Sequence, residues 1–376
     1  MRFPLLAAAM MALLGGLWAG LLRLGWVVPV FRSGFALAHG PLMVSGFLGT
    51  LIGLERAVGL GRRWAYAAPL LTGVGALALI AGVPGPIAPA AITAGSAGLV
   101  AIFISIIRAQ PALFTVTMGV GALAWLVGNA LWLAGWPVYE VVSWWMGFLV
   151  LTIAGERLEL SRFTQRSRAS ESAFLIIIVT LWAGLTSGGM ASDDGARLTG
   201  LSLVALTVWL LRHDIARRTV HQTGLTRYVA VCLLSGYVWL GLGGVLSVIL
   251  GRMVAGLHYD AVLHTIFLGF VFAMIFGHAP IIFPAVVGVP VRFRSAFYAH
   301  LGLLHFSLLL RVAGDLHASL MCRQWGGLLN VAAILLFLAN TARAVQQGRR
   351  AAVRATPVAR PSEARQFAAI HQRSAF

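Results

Sequence analysis

Twelve apolar runs divide this chain, and arginine gathers in every second gap between them. The runs cover about 4–22, 34–54, 65–83, 86–107, 111–135, 137–155, 171–189, 197–211, 228–250, 258–283, 293–313 and 317–342. A hydrocarbon layer about 30 Å thick takes about 20 apolar residues of α-helix to cross. Lipid accepts only segments whose backbone polar groups are satisfied internally. The expected fold is therefore an all-α polytopic membrane protein with twelve transmembrane helices, of which 197–211 is the shortest. Arg56, Arg62 and Arg63 follow the second run, and Arg108 the fourth. Arg157, Arg162, Arg166 and Arg168 follow the sixth, Arg212, Arg217, Arg218 and Arg227 the eighth, and Arg292 and Arg294 the tenth. The opposite gaps hold few arginines and include Asp193, Asp194 and Asp315. Positive loops stay inside, so both termini are expected in the cytoplasm, with the chain in a bacterial inner membrane.

Composition removes the alternatives. The chain is 59% hydrophobic and 10% charged, whereas soluble domains carry about 25% charged residues. Lipid is thus the solvent and the bilayer the first partner. A net charge of +17 in a soluble protein would point to nucleic acid. Here the inner-loop arginines account for it, and no nucleic-acid partner is expected. The start, Met1-Arg2 and an apolar run with Ala7-Ala8-Ala9, has the look of a signal peptide. The run continues past Trp18, so it reads as a first span that stays. Residues 1–342 form the membrane domain, and 343–376 an Arg-rich cytoplasmic tail expected to be disordered near anionic lipid. Cys232 and Cys322 lie in different spans, which argues against a disulfide. The absence of CxxC and CxxCH argues against zinc and covalently attached haem.

One pattern recurs. Gly46-Phe47 is followed nine residues after the glycine by Glu55, Gly147-Phe148 by Glu156, and Gly269-Phe270 by His278. Arg56 and Arg157 extend the match in the first two copies, and the copies start 101 and 122 residues apart. This spacing predicts three pseudo-symmetric four-helix arcs, each with a polar residue at the inner end of its second helix. Both Gly and Phe are frequent in the chain, so coincidence is the competing explanation.

Ionisable groups inside a bilayer are costly unless paired or used, which makes each one a candidate. At 1.5 Å per residue, His39 lies about 8 Å and His264 about 9 Å below the outer face. Two imidazoles at one level in a helix bundle suit a six-coordinate haem iron. They equally suit a pair of core histidines bonded to carbonyls or acids. Asp260, four residues before His264, is placed to orient that imidazole. His305 lies near the middle of the eleventh span and His300 nearer its inner end, about 140° apart around the helix. Met43 follows His39 by four residues and Met274 precedes His278 by four. Thioether with imidazole suits copper or haem, although buried Met is commonly a filler. Arg311 and Asp315 are spaced to pair with each other, or for Arg311 to neutralise a haem propionate. Glu55, Glu156, His278 and His300 form a polar layer able to relay protons. The simpler reading, interfacial Glu-Arg pairs balanced by their neighbours, is preferred for Glu55-Arg56 and Glu156-Arg157.

The segment "AHGPLMVSGF" around His39, with twelve spans in three arcs, resembles subunit I of the haem-copper oxidases. That resemblance implies ligands on helices two, six and ten, the helices that carry the repeat. The segments "DAVLHTIFLGFVFAMIFGHAPIIFPAVVG" and "YAHLGLLHFSLLLRVAGD" resemble the NnrS family of haem- and copper-containing membrane proteins linked to nitric oxide. His39 then matches a haem ligand, with His264 the nearest counterpart on helix ten. Glu140 stands where an oxidase has a copper-ligand His, and the paired histidines of the oxidase site are missing, so an oxygen-reducing binuclear centre is not implied.

The leading expectation is a haem protein, with copper as a second metal, acting in nitric oxide or nitrogen-oxide stress with a redox partner or respiratory complex. Its haem is expected among His39, His264, His305 and Arg311, and its metal ligands among His39, Met43, His264, His278, His300 and His305. Two rivals stand beside it: a proton-coupled transporter of a small molecule or metal ion, and a non-catalytic assembly factor whose histidines satisfy one another.

Overall fold

The computed structural model describes residues 2–161, 167–287 and 292–355. It is all-α, with no strand among the described residues. Twelve helices are long and apolar enough to cross a membrane, and the chain is a multi-pass membrane protein. They are α1 (Arg2–Arg23), α2 (Phe35–Leu60), α3 (Arg63–Ala81), α4 (Ile87–Ala109), α5 (Leu113–Leu133) and α6 (Val138–Leu160). The second half comprises α7 (Arg168–Thr186), α8 (Asp193–His213), α9 (Gly224–Leu250), α10 (Leu257–Ile282), α11 (Phe297–Leu316) and α12 (Leu320–Ala355).

Helix ends follow local chemistry. Ser167 and Ser192 cap α7 and α8 by accepting from the backbone N–H three residues on. Asp193 and Asp194 sit in the first turn of α8, where the helix dipole favours acid. These caps carry α8 over 21 residues, longer at both ends than the apolar run 197–211. Gly61 at φ 68° terminates α2 in a left-handed conformation that other residues resist. α12 passes residue 342, where its apolar run ends, and continues to Ala355. Residues 343–355 are rich in Ala, Arg and Gln, all good helix formers. The expected disordered tail thus begins as helix, and its remainder, 356–376, lies outside the described residues. Arg162 and Arg166 of the predicted inner loops also lie outside them.

Each helix packs against the next in three consecutive sets, α1–α4, α5–α8 and α9–α12, joined at α4/α5, α8/α9 and α12/α1. Burial then sorts the helices. The apolar window of α6 is 83% buried, that of α10 78% and that of α2 67%, while no other helix exceeds 56%. The three helices carrying the Gly-Phe pattern are therefore the central ones. Their glycines admit neighbours closely: a Cβ on Gly147 would lie 2.7 Å from Leu185 Cδ1 of α7, and one on Gly269 would strike the Trp239 ring of α9. The adjoining Phe47 and Phe272 rings stack across α2 and α10, 6.2 Å between centroids.

The central helices are not alike. α2 opens into wide π-helical turns over Leu42–Gly49, and α10 does so over Thr265–Phe272. α6 stays regular over its full 23 residues. Such widening recurs at functional sites, and here it lies just inward of His39 and of His264.

Candidate functional site

Two cavities lie along the central helices, at opposite ends. The larger, about 460 Å³, is lined by the C-terminal end of α1 and the N-terminal halves of α2, α6, α10 and α12. This is the size of a cofactor pocket. Its walls are mostly apolar, with Leu17, Val44, Leu263, Phe267 and Phe272 among them.

His39 and His264 meet in this cavity. Their ring centroids are 6.4 Å apart and their planes 18° from parallel. Each ring is fixed by a backbone acceptor at Nδ1: the Gly16 carbonyl at 2.8 Å for His39, the Asp260 carbonyl at 2.6 Å for His264. Donation from Nδ1 fixes the tautomer and leaves Nε2 as a lone-pair donor on each ring. Glycines on α1 make the seat for His39, since a Cβ on Gly20 would lie 3.0 Å from its Cε1 and Nδ1. Met43 lines the same cavity from the next turn of α2.

Asp260 does not orient His264 through its carboxylate, as its spacing predicts; only its main-chain carbonyl does. The carboxylate turns instead to the guanidinium groups of Arg323, with which it hydrogen bonds, and Arg311, 4.0 Å away. Arg323 also pairs with Asp315 at 2.9 Å, and Arg311 lies 4.0 Å from the same acid. The cation competes better than an imidazole for a buried carboxylate. Arg311 is only 7% exposed, and its Nε has no hydrogen-bond partner. Nearby, Asn330 Nδ2 is likewise buried and unpartnered. Arg23, Arg311 and Arg323 line the cavity, and Asp260 and Asp315 offset two of the three charges, so this end is net positive. Unspent donors and excess positive charge suit a carboxylate-bearing ligand.

The smaller cavity, about 100 Å³, lies toward the other end of α2, α6 and α10. It gathers Glu55, Glu156 and His278, the polar positions of the three copies of the repeat. The two Glu-Arg pairs are balanced by neighbours, and the balance runs between helices. Arg56 bridges them, hydrogen bonded to Glu156 and 3.6 Å from Glu55. Arg157 departs from its counterpart and lies buried, 3.9 Å from Asp214. His278 donates from Nδ1 to the Met274 carbonyl, 2.7 Å away, so Met274 meets it through its backbone rather than its thioether.

The remaining candidates stand apart from both cavities. His305 Nδ1 accepts from Trp239 Nε1 at 3.0 Å, and its Nε2 is 2.9 Å from Ser235 Oγ. Both ring nitrogens are thus engaged by α9. His300 is fully buried between Tyr228 and Asn340 and does not join His278 in a polar layer. Among the described residues, no group of three or more His, Cys, Asp or Glu side chains converges to hold a metal ion.

Sequence reasoning missed Arg323, Asn330, Gly16 and Gly20. The small-residue spacing Gly16 to Gly20 on α1 was a signal for close helix approach. Arg323 and Asn330 carried none, because only the fold brings α12 beside α10.

The chain belongs to a family described as Domain of unknown function (DUF8744), whose model matches residues 2–346. No curated protein matches the chain.

Proposed function

We propose that this is a haem-binding redox protein of the bacterial inner membrane, with His39 and His264 as the two axial ligands and both termini in the cytoplasm. The observation that carries the reading is the pair of fixed imidazoles facing one apolar cavity. An imidazole nitrogen lies about 1.1 Å from its ring centre and about 2.0 Å from a bound metal. Two rings on opposite sides of one ion then have centres about 6 Å apart, and those of His39 and His264 are 6.4 Å apart. The apolar walls suit a macrocycle, and Arg311, Arg323 and Arg23 suit its propionates. Haem would supply one-electron chemistry at this place. The chain's own residues fix the imidazoles, neutralise the carboxylates and exclude lipid.

The resemblance to the NnrS family supports a role in nitric oxide or nitrogen-oxide stress, as redox or accessory protein served by a respiratory electron donor. Copper is not part of the proposal. The nitrogens of His300 and His305 are committed elsewhere, and His278 faces carboxylates. Proton-coupled transport is the second reading, favoured by the ionisable groups of the smaller cavity. An optical spectrum of the purified protein, oxidised and dithionite-reduced, separates them. Sharp α and β bands on reduction are expected, and they disappear or become high-spin in His39→Ala and in His264→Ala. Purified protein that takes up no haem when haem is supplied overturns the proposal and leaves transport.

A further inference from the structure

The smaller cavity has a composition that the outer one does not explain. Glu55 and Glu156 share one cation, Arg56. The pair and its bridge therefore carry one uncompensated negative charge among apolar walls such as Leu51, Ile52, Leu149 and Ile275. Two polar groups in this wall are buried and unpartnered: Thr152 is 2% exposed with Oγ1 unbonded, and His278 is 9% exposed with Nε2 unbonded. Other charges near the cluster do not cancel the excess. Arg157 and Asp214 pair with each other, and Glu159 adds a further acid one turn along α6. A volume of about 100 Å³ has room for about three waters at roughly 30 Å³ each.

We propose that this cavity is a hydrated proton-binding site, in which Glu55 and Glu156 hold one exchangeable proton through water bound to His278 and Thr152. The proton comes from cytoplasmic water and adds to a carboxylate oxygen, so the partly buried cluster becomes neutral. A buried charge without a partner is unfavourable in a low-dielectric medium, and protonation relieves it. Unpartnered polar groups in the wall of a small cavity are what bound water satisfies. Arg56 stays with the remaining carboxylate. The site is independent of what occupies the outer cavity.

Infrared difference spectroscopy of the full chain in lipid nanodiscs tests this, with the buffer cycled between acid and alkaline pH. A carboxylic-acid C=O band should titrate, shift to lower frequency in D₂O, and lose intensity in Glu55→Gln or Glu156→Gln. Thr152→Val, which keeps both acids, should move the band without removing it. A titrating band that is unchanged in both Gln variants overturns the proposal, as does a band that fails to shift in D₂O. Absence of any protonated carboxyl over the titration overturns it too. Because the readout needs no haem, failure of the haem assignment is recognised separately, by the optical spectrum alone.

Discussion

The two cavities are built from the same three central helices yet have opposite chemistry. At one end, α2 and α10 offer imidazoles locked by main-chain carbonyls, beside three arginines and two acids. At the other, the same helices and α6 offer two carboxylates and an imidazole around one arginine. One end is rich in cations, the other in carboxylates. The lesson is that the repeat fixes where polar groups gather, while departures from it fix what they do. His39 stands seven residues before Gly46, yet His264 stands five before Gly269, and the matching position of α6 is Glu140.

The largest expected effect separates the two ends outright. His39→Ala or His264→Ala should abolish the low-spin haem spectrum, whereas Glu55→Gln and Glu156→Gln should leave it in place. Equal loss in all four would erase the distinction between the cavities. Next comes the charge cluster of the outer end. Arg311→Met leaves Asp260 and Asp315 with Arg323 alone. Breaking a buried ion pair costs about 3–5 kcal/mol, read as a lowered thermal midpoint in detergent together with reduced haem content.

A smaller effect compares the arcs. Gly269→Ala drives a methyl into the Trp239 ring and should cost about 1–3 kcal/mol by overpacking. Gly147→Ala meets the movable tip of Leu185 and should cost less than about 1 kcal/mol. Thermal unfolding of the two variants side by side measures this, and equal losses would mean that the arcs pack alike. The smallest spectral effect is expected of His305→Phe. It strands Trp239 Nε1 at a stability cost of about 1–2 kcal/mol, while Ser235 Oγ keeps the Val231 carbonyl. The haem bands should remain as they are, and their loss would place His305 at the iron instead.

Much of this was legible in the sequence because lipid makes hydropathy a sharp signal. All twelve spans fall where apolar runs predict them, and the pairing of His39 with His264 followed from depth alone. The partners of those histidines were not legible. Any carbonyl accepts a hydrogen bond, so nothing in the residue at position 16 marks it as the acceptor for His39. Asp260 illustrates the same limit in reverse. Its spacing to His264 was right, but a distant arginine, Arg323, competes for the carboxylate. His305 was eligible for haem, and both His300 and His305 for a metal, until α9 supplied Tyr228, Trp239 and Ser235. The π-helical turns of α2 and α10 were also invisible, since no residue type announces them.

Leu48 is 4% exposed and lines both cavities from the end of the widened turns of α2. Cavities reach this side chain from either end. Were both filled by water or charged groups, the voltage across the bilayer would fall over a short apolar partition instead of the whole thickness. A charge crossing the full potential gains or loses about 2.3 kcal/mol per 100 mV. A proton held at Glu55 and an electron held between His39 and His264 would stand on opposite sides of that drop, with Leu48 in the dielectric between two plates.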